Sequence, residues 1–336
     1  MLTPRATALS IALTSVALTS SARAQSAFRP LPRLPDIDAF VTAGGTSSAV
    51  PAPLFDAIEQ EADVEGPRTF VDARVFLNAS ENSNLADGGT FSAQRGGWSA
   101  TIGRKLGDET LAALELSTEA TFYNFGGNTT LVPGSTDPFN DLYRASLAGT
   151  IQTPIDAHTS YFAGIELALG GEDEADARES LSIGAAGGVR HRANEDFELT
   201  AGVAVLSRLE DDPWIWPWLG FEWRANEWFD VEAQGTEIEA HAALNDHWRV
   251  LGRAEYLIRQ YRLNSDNPLP SGVFRDNDIR LGLGLERSGE DGFHVELLGG
   301  VSLWRELSTL DKNGAHVTET EADPALFVAL SFGLSF

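Results

Sequence analysis

Ala325-Leu326-Phe327-Val328-Ala329-Leu330-Ser331-Phe332-Gly333-Leu334-Ser335-Phe336 alternates from end to end. Leu326, Val328, Leu330, Phe332, Leu334 and Phe336 fall on one face at period two. Ala325, Ala329, Ser331, Gly333 and Ser335 fall on the other, where Phe327 is the one bulky member. Period two marks an extended strand with two unlike sides. A large apolar face opposed by a small or polar face suits a strand that separates hydrocarbon from a lumen. A soluble sandwich also alternates, with its apolar side turned inward, so the assignment of faces needs the rest of the chain.

The same pattern recurs upstream. Ile279, Leu281, Leu283 and Leu285 alternate with Arg280, Gly282, Gly284 and Glu286. Phe197, Leu199, Ala201, Val203 and Val205 alternate with Glu198, Thr200, Gly202 and Ala204, and Tyr161 to Leu169 behaves likewise. At the other end, Arg5 precedes a short apolar run, 6–19, and Ala22-Arg23-Ala24 is a small-x-small cleavage motif. Residues 1–24 are therefore expected to be a cleaved secretory signal. Past residue 25 no run of about 18 apolar residues occurs, which removes a helical membrane span. A closed β-barrel is the other structure that satisfies its backbone in lipid. Residues 25–66 include the Pro-rich stretch Phe28 to Pro35 and read as a periplasmic segment, with a short helix or a plug inside the barrel as open alternatives. The barrel itself is expected over 67–336, in the outer membrane of a bacterial cell.

Turn spacing sets the strand count. Short polar turns fall at 107–109, 156–158, 194–196, 226–227, 245–246 and 289–292. Phe197, Trp228, Trp248 and Phe293 follow four of them as an interfacial girdle. Longer polar connections at 79–94, 125–141, 171–179, 209–215, 264–277 and 306–324 are expected outside the cell. Gln234-Gly235-Thr236 must split 228–244 into two short strands. The expected fold is an all-β, antiparallel, up-and-down transmembrane barrel of fourteen strands, or twelve if that short pair fails to form.

The segments Trp216 to Asn226, Phe274 to Glu286 and Asp323-Pro324-Ala325 resemble an uncharacterised family of bacterial outer-membrane β-barrels, a domain of unknown function. The resemblance covers roughly residues 68–336 and implies fold and location, with no catalytic motif to carry across. Similarity to outer-membrane proteins in general implies that Leu334 and Phe336 belong to the signal read by the barrel-assembly machinery, with outer-membrane lipid as the surrounding partner.

The formal charge of −25 argues against nucleic acid as a partner. The absence of cysteine removes disulfides, thiol nucleophiles and thiolate metal sites. The six histidines lack metal-ligand spacing, so neither a metal nor a cofactor is expected. His158-Thr159-Ser160 resembles the His-x-Ser of outer-membrane lipid A deacylases, yet it lies at a turn assigned to the periplasmic side, so an enzyme is not expected. The lumen is the remaining place for function. Asp230, Glu232, Glu237 and Glu239 on the short pair, Arg249, Arg253, Glu255 and Arg259 on the next strand, and Arg280 and Glu296 beyond it all have lumen parity. They form either a charged lining for small hydrophilic solutes or a salt-bridge network that fills the barrel. A passive, porin-like channel is the first functional expectation, and a non-conducting barrel the alternative.

Overall fold

A computed structural model describes residues 69–336 apart from 108, 109, 128, 130, 140, 290 and 291. The expected signal segment, the Pro-rich segment and its helix or plug lie outside the described residues. The chain forms β1 (Thr69–Ser80), β2 (Ser83–Asn84), β3 (Thr90–Leu106), β4 (Thr110–Gly126), β5 (Leu142–Pro154), β6 (Thr159–Glu172), β7 (Leu181–Asn194) and β8 (Phe197–Arg208). It continues with β9 (Asp211–Asn226), β10 (Phe229–Gln234), β11 (Glu237–Ala243), β12 (Trp248–Arg262), β13 (Val273–Ser288), β14 (Phe293–Leu310), β15 (His316–Ala322) and β16 (Ala325–Ser335). No helix occurs among the described residues.

Without β2 and β15, which only extend neighbouring hairpins, fourteen strands pair in chain order, and β1 pairs with both β3 and β16 to close the ring. All these wall ladders are antiparallel, as chain-order hairpins require. Val71 and Phe336 exchange both backbone hydrogen bonds, at 3.1 and 2.9 Å, so closure extends to the last residue. The short pair forms: β10 and β11 match from Phe229↔Ala242 to Gln234↔Glu237, turning at Gly235 with φ +56°. Glycine takes that left-handed conformation without a Cβ clash.

The outer surface is apolar on every side. Leu77, Ile102, Leu116, Ile165, Val203, Leu219, Leu297 and Phe332 stand exposed, and Leu283 is 71% exposed. A continuous belt of large exposed aliphatics around a closed ring is a lipid-facing surface. By the usual asymmetry of bacterial barrels, the short-turn end faces the periplasm and the long-loop end faces outward.

Several expected loops are shorter than their polar composition suggests. The 209–215 connection shrinks to 209–210, because Asp212-Pro213-Trp214-Ile215-Trp216-Pro217 continues β9. Strand β13 starts at Val273 within the expected 264–277 loop, and 306–324 holds the top of β14 and its return strand β15. Polar residues at these strand ends pair with one another and so need no solvent.

The wall is also not a simple cylinder. On the outer half, β12 leaves the ring and reaches β6 through a parallel bridge, Arg262↔Gly171. Gly170 and Gly171 admit it: a Cβ on Gly170 would lie 2.6 Å from the Gln260 carbonyl oxygen. Ile258 and Arg262 have the outward parity of Ala254 and Tyr256, yet both are buried. The tip of the β8–β9 hairpin laps over them, with Leu209 donating its N–H to Gln260 Oε1 at 3.0 Å and packing on Val273 and Leu310.

Candidate functional site

The lumen is stratified. At the outer end, an apolar cap closes it. Leu131 and Phe139 from the β4–β5 connection pack with Leu85, Phe91, Leu142, Tyr261, Leu263, Phe274 and Leu307. Phe139 is central: its ring lies 4.3 Å from Phe274 and 5.2 Å from Phe125, centroid to centroid. Asn267 of the β12–β13 connection donates to the Pro138 carbonyl at 2.8 Å, and Thr309 Oγ1 donates to the Leu131 carbonyl at 2.8 Å. These bonds tie the two long loops to each other and the β4–β5 connection to β14.

Beneath the cap sits a buried ionic layer. Asp276 accepts from Arg305 Nε and Nη2 at 2.7 and 2.6 Å, from Arg95 Nη2 at 2.6 Å, and from the Tyr123 hydroxyl. Glu119 accepts from the Tyr261 hydroxyl at 3.1 Å and lies 3.9 Å from Arg259. Asp278 accepts from Arg280 Nε at 2.6 Å and from Ser302 Oγ at 2.5 Å.

The waist follows. Arg253 of β12 binds strands on both of its sides: Nη1 and Nη2 donate to Glu296 of β14 at 3.0 Å each, while Nε faces Glu239 of β11 in hydrogen-bond contact and lies 3.1 Å from Glu237. His241 Nε2 lies 3.0 Å from the other Glu239 oxygen. Glu255 approaches Arg280 at 3.8 Å. The bidentate fork is the geometry Arg makes best with a carboxylate. A void of about 40 Å³ remains here, bordered by the charged Arg95, Glu119, Arg253, Glu255, Arg259, Arg280 and Glu296 and by the apolar Phe76, Leu298, Phe327 and Leu330. Arg95 Nε and Nη1, Arg259 Nη1, Arg280 Nη2 and Glu255 Oε2 are buried without a hydrogen-bond partner among the described residues.

The periplasmic half is less crowded. Glu198, Glu222, Glu232 and Glu239 stand directly opposite one another across β8 to β11, and Arg253 continues the row. Adjacent like charges on one rung are unfavourable. Below it a polar pocket of about 230 Å³ opens among Arg192, Glu198, Glu222 and Arg224. Asp230 stands opposite Arg224, and Arg249 opposite Glu286.

The candidates picked out by lumen parity thus divide into three groups. Glu237, Glu239, Arg253 and Glu296 form one clamp with Glu232 on its rung, Glu255, Arg259 and Arg280 join the ionic layer above, and Asp230 and Arg249 lie lower. At the waist the charges are paired between neighbouring strands of one wall, β11, β12 and β14, not held apart on opposite walls, and it is the ionic layer above that crosses the lumen, where Glu119 of β4 meets Tyr261 and Arg259 of β12. Parity missed Arg95, Asp276, Asp278 and Arg305. Asp276 lies within the expected 264–277 loop, and Arg95 and Asp278 lie at the first position past an expected loop. Arg305 lies past the bulge where Arg280 pairs with Ser302 and Ile279 with Trp304. That one extra residue reverses the alternation and turns Arg305 inward. Ser160 takes its hydrogen bond from Gln152 Nε2 at 2.8 Å, while His158 is exposed at the turn. Among the described residues no cluster of His, Cys, Asp and Glu could hold a metal ion.

The family described as "Domain of unknown function (DUF6268)" matches residues 140–336. No curated protein matches in sequence. Among solved structures, the chain is similar to the COG4313 outer membrane channel from Pseudomonas putida F1 at 8% identity and TM-score 0.47, covering 82% of this chain and 98% of that one. It is similar to the Ralstonia pickettii toluene transporter TbuX at 9% identity and TM-score 0.43, covering 81% and 90%. The Pseudomonas putida toluene transporter TodX is similar at 10% identity and TM-score 0.40, covering 81% and 91%. What those proteins carry is theirs and does not transfer at such similarity.

Proposed function

The chain belongs to the DUF6268 family, and because that family's description leaves the activity open, we propose from the barrel's own interior that it is a closed-at-rest channel of the bacterial outer membrane for small hydrophilic solutes. The carrying observation is the waist void with its unpaired charged atoms. Buried guanidinium and carboxylate atoms without partners are costly in a dry interior. A void of that size admits about three waters, at roughly 10–15 Å³ each. The waist is therefore wet and charged, as a conducting constriction must be. The apolar cap is the gate, because it stands between this wet layer and the outside and is made of loop residues.

A second reading, a non-conducting barrel, is supported by the ionic layer, where Tyr261 and Arg259 of β12 meet Glu119 of β4 across the lumen. Solute efflux from proteoliposomes separates the two. Leu131→Asp with Phe139→Asp places charges in the cap and weakens its packing. The channel reading expects slow efflux of small ions from vesicles holding the intact protein and fast efflux with the double variant. Equal, background efflux from both, with heat-modifiable folded bands on gels, rejects it.

A further inference from the structure

The wall has a seam. Strand β10 pairs with β9 only from Gly220 to Asn226, and β11 pairs with β12 only up to Glu255. Above the hairpin tip, 211–219 of β9 has β8 on one side and no strand on the other. Across the gap, β12 has turned inward to β6.

The direction of the free edge can be worked out. Gly235 N–H donates to the Leu219 carbonyl at 3.1 Å, so the backbone groups of Leu219 point toward the gap. Backbone groups alternate along a strand with period two. Pro213, Ile215 and Pro217 therefore point the same way. Both prolines lack an N–H, so two of the four donors along this edge are missing by composition. The remaining edge is a poor template for another strand, which disfavours pairing with a second copy of the chain.

The gap also lies at lipid depth. Ile215 is 71% exposed and Leu219 62%, beside the lipid-facing Val203 and Val205 of β8. Just inside the edge stand Trp216 and Trp218, packed with Phe162, Ala186 and Ala204. Trp218 lies against Gly235, where an added Cβ would come within 2.9 Å of the indole. The small residues of β6 to β8 leave the two indoles to form the inner face, and Ile258 is buried on the β12 side.

We propose that this seam is a lateral entry for hydrocarbon chains, through which an acyl chain of the surrounding bilayer passes the free edge of β9 and packs on Trp216 and Trp218 behind the wall. Hydrocarbon is what meets Ile215, Pro217 and Leu219 at that depth, and the indoles of Trp216 and Trp218 lie on the opposite face of the same strand. The site is separate from the polar lumen and its cap, so it stands whether or not the barrel conducts ions.

The wild-type chain in vesicles containing a phospholipid with a diazirine on its acyl chain tests it. After irradiation, adducts are mapped by peptide mass spectrometry. Labelling of Trp216, Trp218 or Ile258 comparable to that of Ile215 and Leu219 is expected. Labelling confined to outward-facing residues such as Ile215, Leu219 and Trp223 overturns the proposal.

Discussion

Replacing Arg253 with methionine is the sharpest structural test of the waist. Arg253 is 4% exposed, and its guanidinium faces three carboxylates, Glu237, Glu239 and Glu296. Methionine keeps much of the side-chain volume and removes every donor. Breaking a buried ion pair from one side costs about 3–5 kcal/mol, since the partner is left charged and unpaired. At about 1.4 kcal/mol per power of ten, that shifts the folding equilibrium by two to three and a half orders of magnitude. Removing both sides is far cheaper. The variant R253M/E239Q/E296Q is thus expected to regain at least about 2 kcal/mol over R253M alone. Urea unfolding in lipid vesicles, followed by tryptophan emission, measures both. An R253M midpoint equal to wild type, or a triple variant no better than the single, refutes the clamp as the structural centre of the waist.

Two further outcomes are expected. Gly170→Val drives a side chain into the Gln260 carbonyl and should cost about 1–3 kcal/mol while releasing β12 from β6, seen as faster amide exchange at Arg262. Asp311, in the β14–β15 turn, is held below its ordinary value of 3.8 by the backbone N–H groups of Asn313 and Ala315. A lowered carboxylate stabilises fully above its unfolded value and loses that contribution as pH falls through the folded one. The amide resonances of Asn313 and Ala315 should therefore titrate with a midpoint below 3.8. A transition above that pH contradicts the turn geometry.

The fold was legible because lipid imposes its own pattern. Leu326 to Phe336, and the repeats that match it, must place every second side chain in hydrocarbon, and that requirement appears as period two. The Gln234-Gly235-Thr236 break was legible for a similar reason: two periplasmic turns need one reversal between them. Strand ends were harder. Asp276 and Asp278 are acids beside a polar run, and only their pairing with Arg95, Arg305 and Arg280 makes them interior residues. That pairing joins β3, β13 and β14 and leaves no local trace. The inward turn of Arg305 depends on a bulge set by register. The departure of β12 from the ring was written in Gly170-Gly171 and in Pro213 and Pro217, but small residues and prolines acquire that meaning only once their neighbours are known.

The central claim is that a wet, charged waist lies beneath an apolar gate. Single-channel recording in a planar bilayer tests it most directly, comparing the intact chain with Leu131→Asp/Phe139→Asp. The account predicts a silent or rarely open intact protein and a variant with long, steady openings. Steady conduction by the intact protein contradicts the gate, and silence from a correctly folded variant contradicts the channel.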